Sequence, residues 1–309
     1  MPDPLLYLQA IAASAAVGAL VVMAIVGRCR PVSTLRLSTA CVVGIGVSAF
    51  VGAVVLRLPV AWPPRNGLDR LSTIVLPAVL LIEWLGGLER VPRWFAWLLR
   101  LTLAAVSAAI LLYGSVYLRG PGREWTFLQA NVSLVVGGAL LAALWALVSW
   151  LSQRSPGVSI PLALALSILS AGMAIMMAGY IAGGAAAVIL AAALATVTIV
   201  ARCITKCAAP QAIVGAGVIG LFGFVTVGLF FGRLSYASAV AMLFAPPLCW
   251  TTELPPLRCQ KPWVVESLRL SLVAIPLVVV LGFAALEFQR HTAPLLGSVG
   301  AAETTDEHR

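Results

Sequence analysis

Residues 155–201 read SPGVSIPLALALSILSAGMAIMMAGYIAGGAAAVILAAALATVTIVA, and no charged side chain interrupts them between Arg154 and Arg202. As one continuous helix this stretch would measure about 70 Å at a rise of ~1.5 Å per residue. A bilayer core of ~30 Å takes up only about 20 residues, so the chain must cross twice and fold back. The fold-back is expected near Gly179–Gly184, in AGYIAGG (residues 178–184), where Tyr180 suits the interface and the glycines permit a tight turn.

The rest of the chain has the same character. Of its 309 residues 61% are hydrophobic and only 10% charged, and the mean hydropathy is +1.03. Globular chains carry about 25% charged residues, so the expected fold is all-α, a polytopic integral membrane bundle. A single multi-span domain accounts for residues 1–290, followed by a short polar tail, 291–309, expected to be disordered. The net charge of +9 comes from 18 arginines and two lysines scattered singly at helix ends. That distribution suits interfacial anchoring in the lipid bilayer and excludes a nucleic-acid surface, which needs a contiguous basic patch. Asp3 stands where a signal peptide would be basic, and the apolar run at residues 5–26 is long enough to span.

Ten spans are expected: residues 5–26, 37–56, 71–88, 94–118, 127–151, 159–179, 181–201, 212–231, 236–249 and 264–286. The third carries Pro77, Glu83 and a Gly-Gly pair; the ninth is short and ends in Pro246 and Pro247, which suits a re-entrant or broken segment. Tryptophans gather at span ends, as an aromatic belt requires, except Trp145, which sits deeper. Ten crossings put Arg28, Arg30, Arg36, Arg90, Arg93, Arg154, Arg202, Lys206, Arg258 and Lys261 on one side. This side is slightly the more basic, so it is read as cytoplasmic, with both termini outside.

The tripeptide Arg-Leu-Ser opens four spans, at Arg36, Arg70, Arg233 and Arg269. It is read as a common start signal, with arginine in the headgroups and serine capping free N–H groups, in preference to an inverted repeat.

Ionisable groups inside a membrane are costly, which makes them candidates for function. Four are present: Glu83 and Arg100 on consecutive antiparallel spans, and Glu266 and Arg269 at helical i, i+3 spacing. Each couple is expected to pair, Glu83 with Arg100 across helices and Glu266 with Arg269 locally. Cys29, Cys203, Cys207, Cys249 and Cys259 form a candidate thiol face on the basic side, three of them directly after an arginine, which favours thiolate. Cys203 and Cys207 share a helix face, but Cys-x3-Cys with no nearby histidine is a weak zinc signal, and neither a metal nor a cofactor is expected. Clustered glycines at 215, 217, 220 and 223 mark close helix packing.

No nucleophile elbow, His-Glu-x-x-His, P-loop or dinucleotide fingerprint is present, and too few acids, bases and nucleophiles converge to favour an enzyme. A small-molecule permease or exporter leads. The alternative is a non-catalytic membrane subunit or scaffold that binds a partner through its helices. A lipid-modifying enzyme comes third. A water-filled cavity lined by Glu83 would favour transport, and a dry bundle would favour the subunit.

Overall fold

A computed structural model describes residues 4–27, 33–58, 60–118, 125–154, 157–205, 211–253 and 262–306. Among these, the chain forms α1 (Pro4–Val26), α2 (Thr34–Val55), α3 (Gly67–Arg70), a π-helical turn (Leu71–Val75) and α4 (Leu76–Gly86). Then come α5 (Arg93–Leu112), α6 (Phe127–Arg154), α7 (Ser159–Met177), α8 (Ile181–Thr205) and α9 (Gln211–Phe231). The remainder is α10 (Tyr236–Phe244), a 3-10 segment (Pro246–Glu253) and α11 (Pro262–Asp306), so α11 continues past the expected end of the last span.

Eight of these helices, α1, α2, α5 to α9 and α11, are long and apolar enough to cross a membrane. The protein is therefore a multi-pass membrane protein in contact with the bilayer. The count corrects the ten spans expected from hydropathy, of which the ninth already suited a re-entrant or broken segment. The third and ninth are broken, and the breaks have local causes. Pro77 cannot donate a backbone N–H and is the second residue of α4, just beyond the π turn, while Pro246 and Pro247 force the chain out of α10 into a 3-10 path.

The predicted fold-back is a Schellman turn. The N–H of Tyr180 donates to the Ile175 carbonyl (3.1 Å) and that of Gly179 to the Met176 carbonyl (3.0 Å). Gly179 takes the left-handed conformation (φ +91°) that this motif reserves for glycine. Gly183 and Gly184 lie beyond the turn, inside α8, which corrects their expected place; a Cβ on Gly184 would come within 2.4 Å of the Gly172 carbonyl on α7.

Helix α9 is the axis of the bundle. Every residue from Ala212 to Gly228 is buried. Its glycines receive side chains from three neighbouring segments: Gly215 and Gly223 from Glu83 and Leu71 of the run 67–86, Gly217 from Leu164 of α7 and Gly220 from Leu190 of α8. Lipid gives no hydrophobic drive for helices to associate, so small residues that admit a neighbour this closely decide which helix goes inside.

Contacts at the two ends of the bundle show its threading. At the Tyr180 end, Tyr7 of α1 and Leu56 just after α2 pack with Ala185 of α8, and Gly67 lies against Phe231. At the Arg154 end, Trp84 Nε1 donates to Thr39 Oγ1 (3.1 Å), and Trp150 meets Trp250 edge to face. The interrupted run 67–86 lies antiparallel to α5 along its whole length, with Arg70 donating to the Leu111 carbonyl (3.5 Å) at one end and Gly86 facing Ala96 at the other. Residues 236–253 likewise start beside the Tyr180 end and finish at Thr252 and Glu253, beside Ser159 at the start of α7.

The four Arg-Leu-Ser tripeptides are not structurally alike. Only Ser235 caps a helix, accepting from the Ser238 N–H. Ser33 rather than Ser38 caps α2, Ser72 lies in the π turn, and Arg269 is buried.

Candidate functional site

The helices bring Glu83 and Arg100 together. Arg100 donates through Nε to Oε1 (2.9 Å) and through Nη2 to Oε2 (2.7 Å), a bidentate pair. Both side chains are almost fully buried, at 6% and 1% exposure for the arginine and glutamate. The guanidinium also lies over Trp97, 5.1 Å from the ring centroid, and the carboxylate stem presses on Gly215 of α9. Trp145, expected to lie deep, is 1% exposed. Its indole N–H is turned toward the Glu83 carboxylate but stays outside hydrogen-bonding geometry. The site therefore joins α4, α5, α6 and α9 into one packed unit. Fork geometry of this kind satisfies both charges at once, which a lipid-embedded ion pair requires.

The second expected couple does not form. Arg269 turns away from Glu266 and pairs with Glu253 (Nη2–Oε1 2.8 Å). It also donates to Thr252 Oγ1 (2.7 Å) and Ser159 Oγ (3.3 Å). The i, i+3 contact would have gained little at a helix surface, whereas the interhelical cluster locks α11 to the 3-10 segment and to the start of α7. Glu266 faces Gly157 instead.

Two groups missed as site candidates form a third cluster, at the Tyr180 end. Asp69 is 1% exposed and its carboxylate accepts from the N–H groups of Ala61 (3.4 Å), Arg65 (3.1 Å) and Asn66 (3.4 Å). Arg70 donates to the Tyr113 and Arg65 carbonyls. The signal was available: Asn66 and Asp69 have capping-box spacing, and the box is present. Nearby, burial and secondarily the negative charge of Asp69 raise the Tyr180 phenol above its ordinary pKa, so it stays protonated at neutral pH.

Of the expected thiol face, Cys29, Cys207 and Cys259 lie outside the described residues. Cys203 is exposed in the last turn of α8, but Cys249 is buried, which removes it from an accessible face. Its sulfur lies 4.0 Å from the Arg269 carbonyl oxygen. Among the described residues no group of three His, Cys, Asp or Glu side chains gathers to hold a metal ion.

Among the described residues three hollows stand out, and neither Glu83, Arg100 nor Arg269 lines any of these three. One, about 820 Å³, sits at the Tyr180 end between Tyr180, Arg233, Ser235 and Glu287. Another is a shallow apolar groove of about 660 Å³ between α1, α7, α8 and α11.

The third hollow is a cleft of about 550 Å³ between α2 and the interrupted run 67–86, floored by α8 and α9. Ile45, Ala49 and Ala53 form one wall, Leu76, Pro77 and Leu80 the other, and Ala216 and Phe224 the floor. The walls meet at Gly46 and Leu80 and diverge toward Leu58 and Leu68. Phe50 and Val54, 69% and 57% exposed, stand at its mouth and face the lipid side. Ser72 and Thr73 are its only hydroxyl-bearing lining residues. Comparison with protein-family models, with curated proteins and with solved structures gives no match for this chain.

Proposed function

We propose that this protein binds an apolar small molecule drawn sideways from the lipid phase into the cleft between α2 and α4, as a permease or exporter for such a molecule. One observation carries the reading: the cleft is apolar, opens toward lipid, and has a volume within the ~300–1,000 Å³ usual for small-molecule sites. The dry Glu83–Arg100 pair argues against a polar solute or proton path through that carboxylate and leaves the lateral route as the better-supported one. Two interrupted runs, residues 67–86 and 236–253, accompany the eight candidate spans, and the first of them forms one wall of the cleft. Broken helices beside a cavity are a recurring feature of transporters.

Photolabelling tests this. A diazirine-bearing alkane should attach to cleft residues in the purified protein, and Ala49→Phe, which fills the cleft, should abolish that labelling while leaving the fold intact. Labelling spread evenly over all lipid-facing helices, unchanged by Ala49→Phe, would overturn the proposal. The dry pair is also the observation that favours the second reading, a non-catalytic membrane subunit. That protein would show no cleft labelling and would purify at fixed stoichiometry with a membrane partner.

A further inference from the structure

The cleft has one polar spot, and its origin is the backbone break. Leu76 directs its N–H to the Leu71 carbonyl, five residues back, in the π register. The next donor in line would be residue 77, but that is proline. The Ser72 carbonyl thus loses both helical donors that could reach it: the Leu76 N–H is committed elsewhere, and Pro77 has none. The Ser72 hydroxyl adds a second polar group to the same wall. Thr73, beside it, donates to the Asp69 carbonyl (2.6 Å), and Thr39, Ser107, Ser167 and Thr198 bond back to carbonyls four residues earlier in the same way. Ser72 makes no such bond among the described residues. Both Ser72 and Pro77 line the cleft.

An unsatisfied carbonyl and a free hydroxyl, side by side in an apolar wall, are costly in lipid unless a ligand completes them. From this we infer that the cleft selects a lipid-phase molecule bearing a single hydroxyl, a long-chain alcohol in the chemical sense. The ligand hydroxyl donates to the Ser72 carbonyl and accepts from the Ser72 hydroxyl. The placement matches an amphiphile. Ser72 lies about one turn inside the helix from the Tyr180 end, whereas Leu80, where the cleft closes, is eight residues or about 12 Å deeper. The hydroxyl sits near the interface and the chain points toward the bilayer middle.

This inference rests on the lateral-cleft reading, and one experiment separates their failures. A diazirine-bearing hexadecyl alcohol and its methyl ether, which cannot donate, are titrated against the purified full chain in lipid nanodiscs, with attachment sites mapped by mass spectrometry. The alcohol is expected to label cleft residues about five- to tenfold more efficiently than the ether, the scale of one or two hydrogen bonds in a membrane. Ser72→Ala should reduce the preference. Pro77→Ala, which restores a backbone donor to the Ser72 carbonyl, should reduce it as well without filling the cleft. Equal cleft labelling by alcohol and ether, or a preference untouched by both variants, overturns the inference and leaves the cleft reading standing. Absence of cleft labelling by either probe overturns both.

Discussion

Replacing Glu83 by Met removes the carboxylate but keeps the length of the stem that packs on Gly215. The guanidinium of Arg100 is then left with a fixed charge, five N–H donors and only 6% side-chain exposure, too little for water to reach it. Its two contacts, at 2.9 and 2.7 Å, are both lost, and the Trp97 ring face offsets only a small part. Breaking a buried pair in this way costs about 3–5 kcal/mol, whereas replacing both partners by apolar residues of similar size is often neutral. Glu83→Met and Arg100→Met should therefore each destabilise by about 3 kcal/mol or more, and the double variant should recover to within about 1–2 kcal/mol of the parent. The assay is reversible unfolding in mixed micelles, read by tryptophan fluorescence across the four proteins of the cycle. Single losses under ~1 kcal/mol, or a double loss equal to the sum of the singles, would refute the claim that this pair is dry and mutually dependent.

Gly215→Ala places a Cβ 2.3 Å from Glu83 Oε1, so the carboxylate must shift; a loss of about 1–3 kcal/mol is expected, and unchanged thermal stability would count against the packing of α4 on α9. Arg269→Met should cost about 3 kcal/mol while Glu266→Gln stays within about 0.5 kcal/mol, and the opposite ranking would restore the local pair. In variants that keep one cysteine each, a membrane-impermeant maleimide should label Cys203 in inverted vesicles and fail on Cys41 and Cys249; labelling of Cys203 in intact cells would reverse the topology.

The scarcity of charge made part of this protein readable in advance. With so few ionisable groups inside apolar runs, Glu83 and Arg100 had to find each other, because consecutive spans are antiparallel neighbours and lipid tolerates neither group alone. Arg269 was misjudged because its partner, Glu253, lies beyond the expected end of the ninth span at residue 249; nothing in local spacing announces a contact sixteen residues away. Asp69 was overlooked although its capping-box spacing was visible, since it precedes the expected start of the third span at residue 71. Hydropathy cannot say which apolar helix is central, because lipid and core are equally apolar; the glycines of α9 held that information, and only as a hint at packing. The cleft had no sequence signal of its own. It arises where α2 and α4 diverge, and the residues that line it look like any other lipid-facing or core residues.

The most direct test is a structure of the protein in lipid nanodiscs prepared from its own membrane lipids, examined at the cleft between α2 and α4. The expected result is an elongated density that runs from Ser72 toward Gly46 and Leu80, with Glu83 and Arg100 paired and dry behind it. A cleft closed by its own side chains, or one filled with ordered water continuous with Glu83, would contradict the lateral, lipid-phase route.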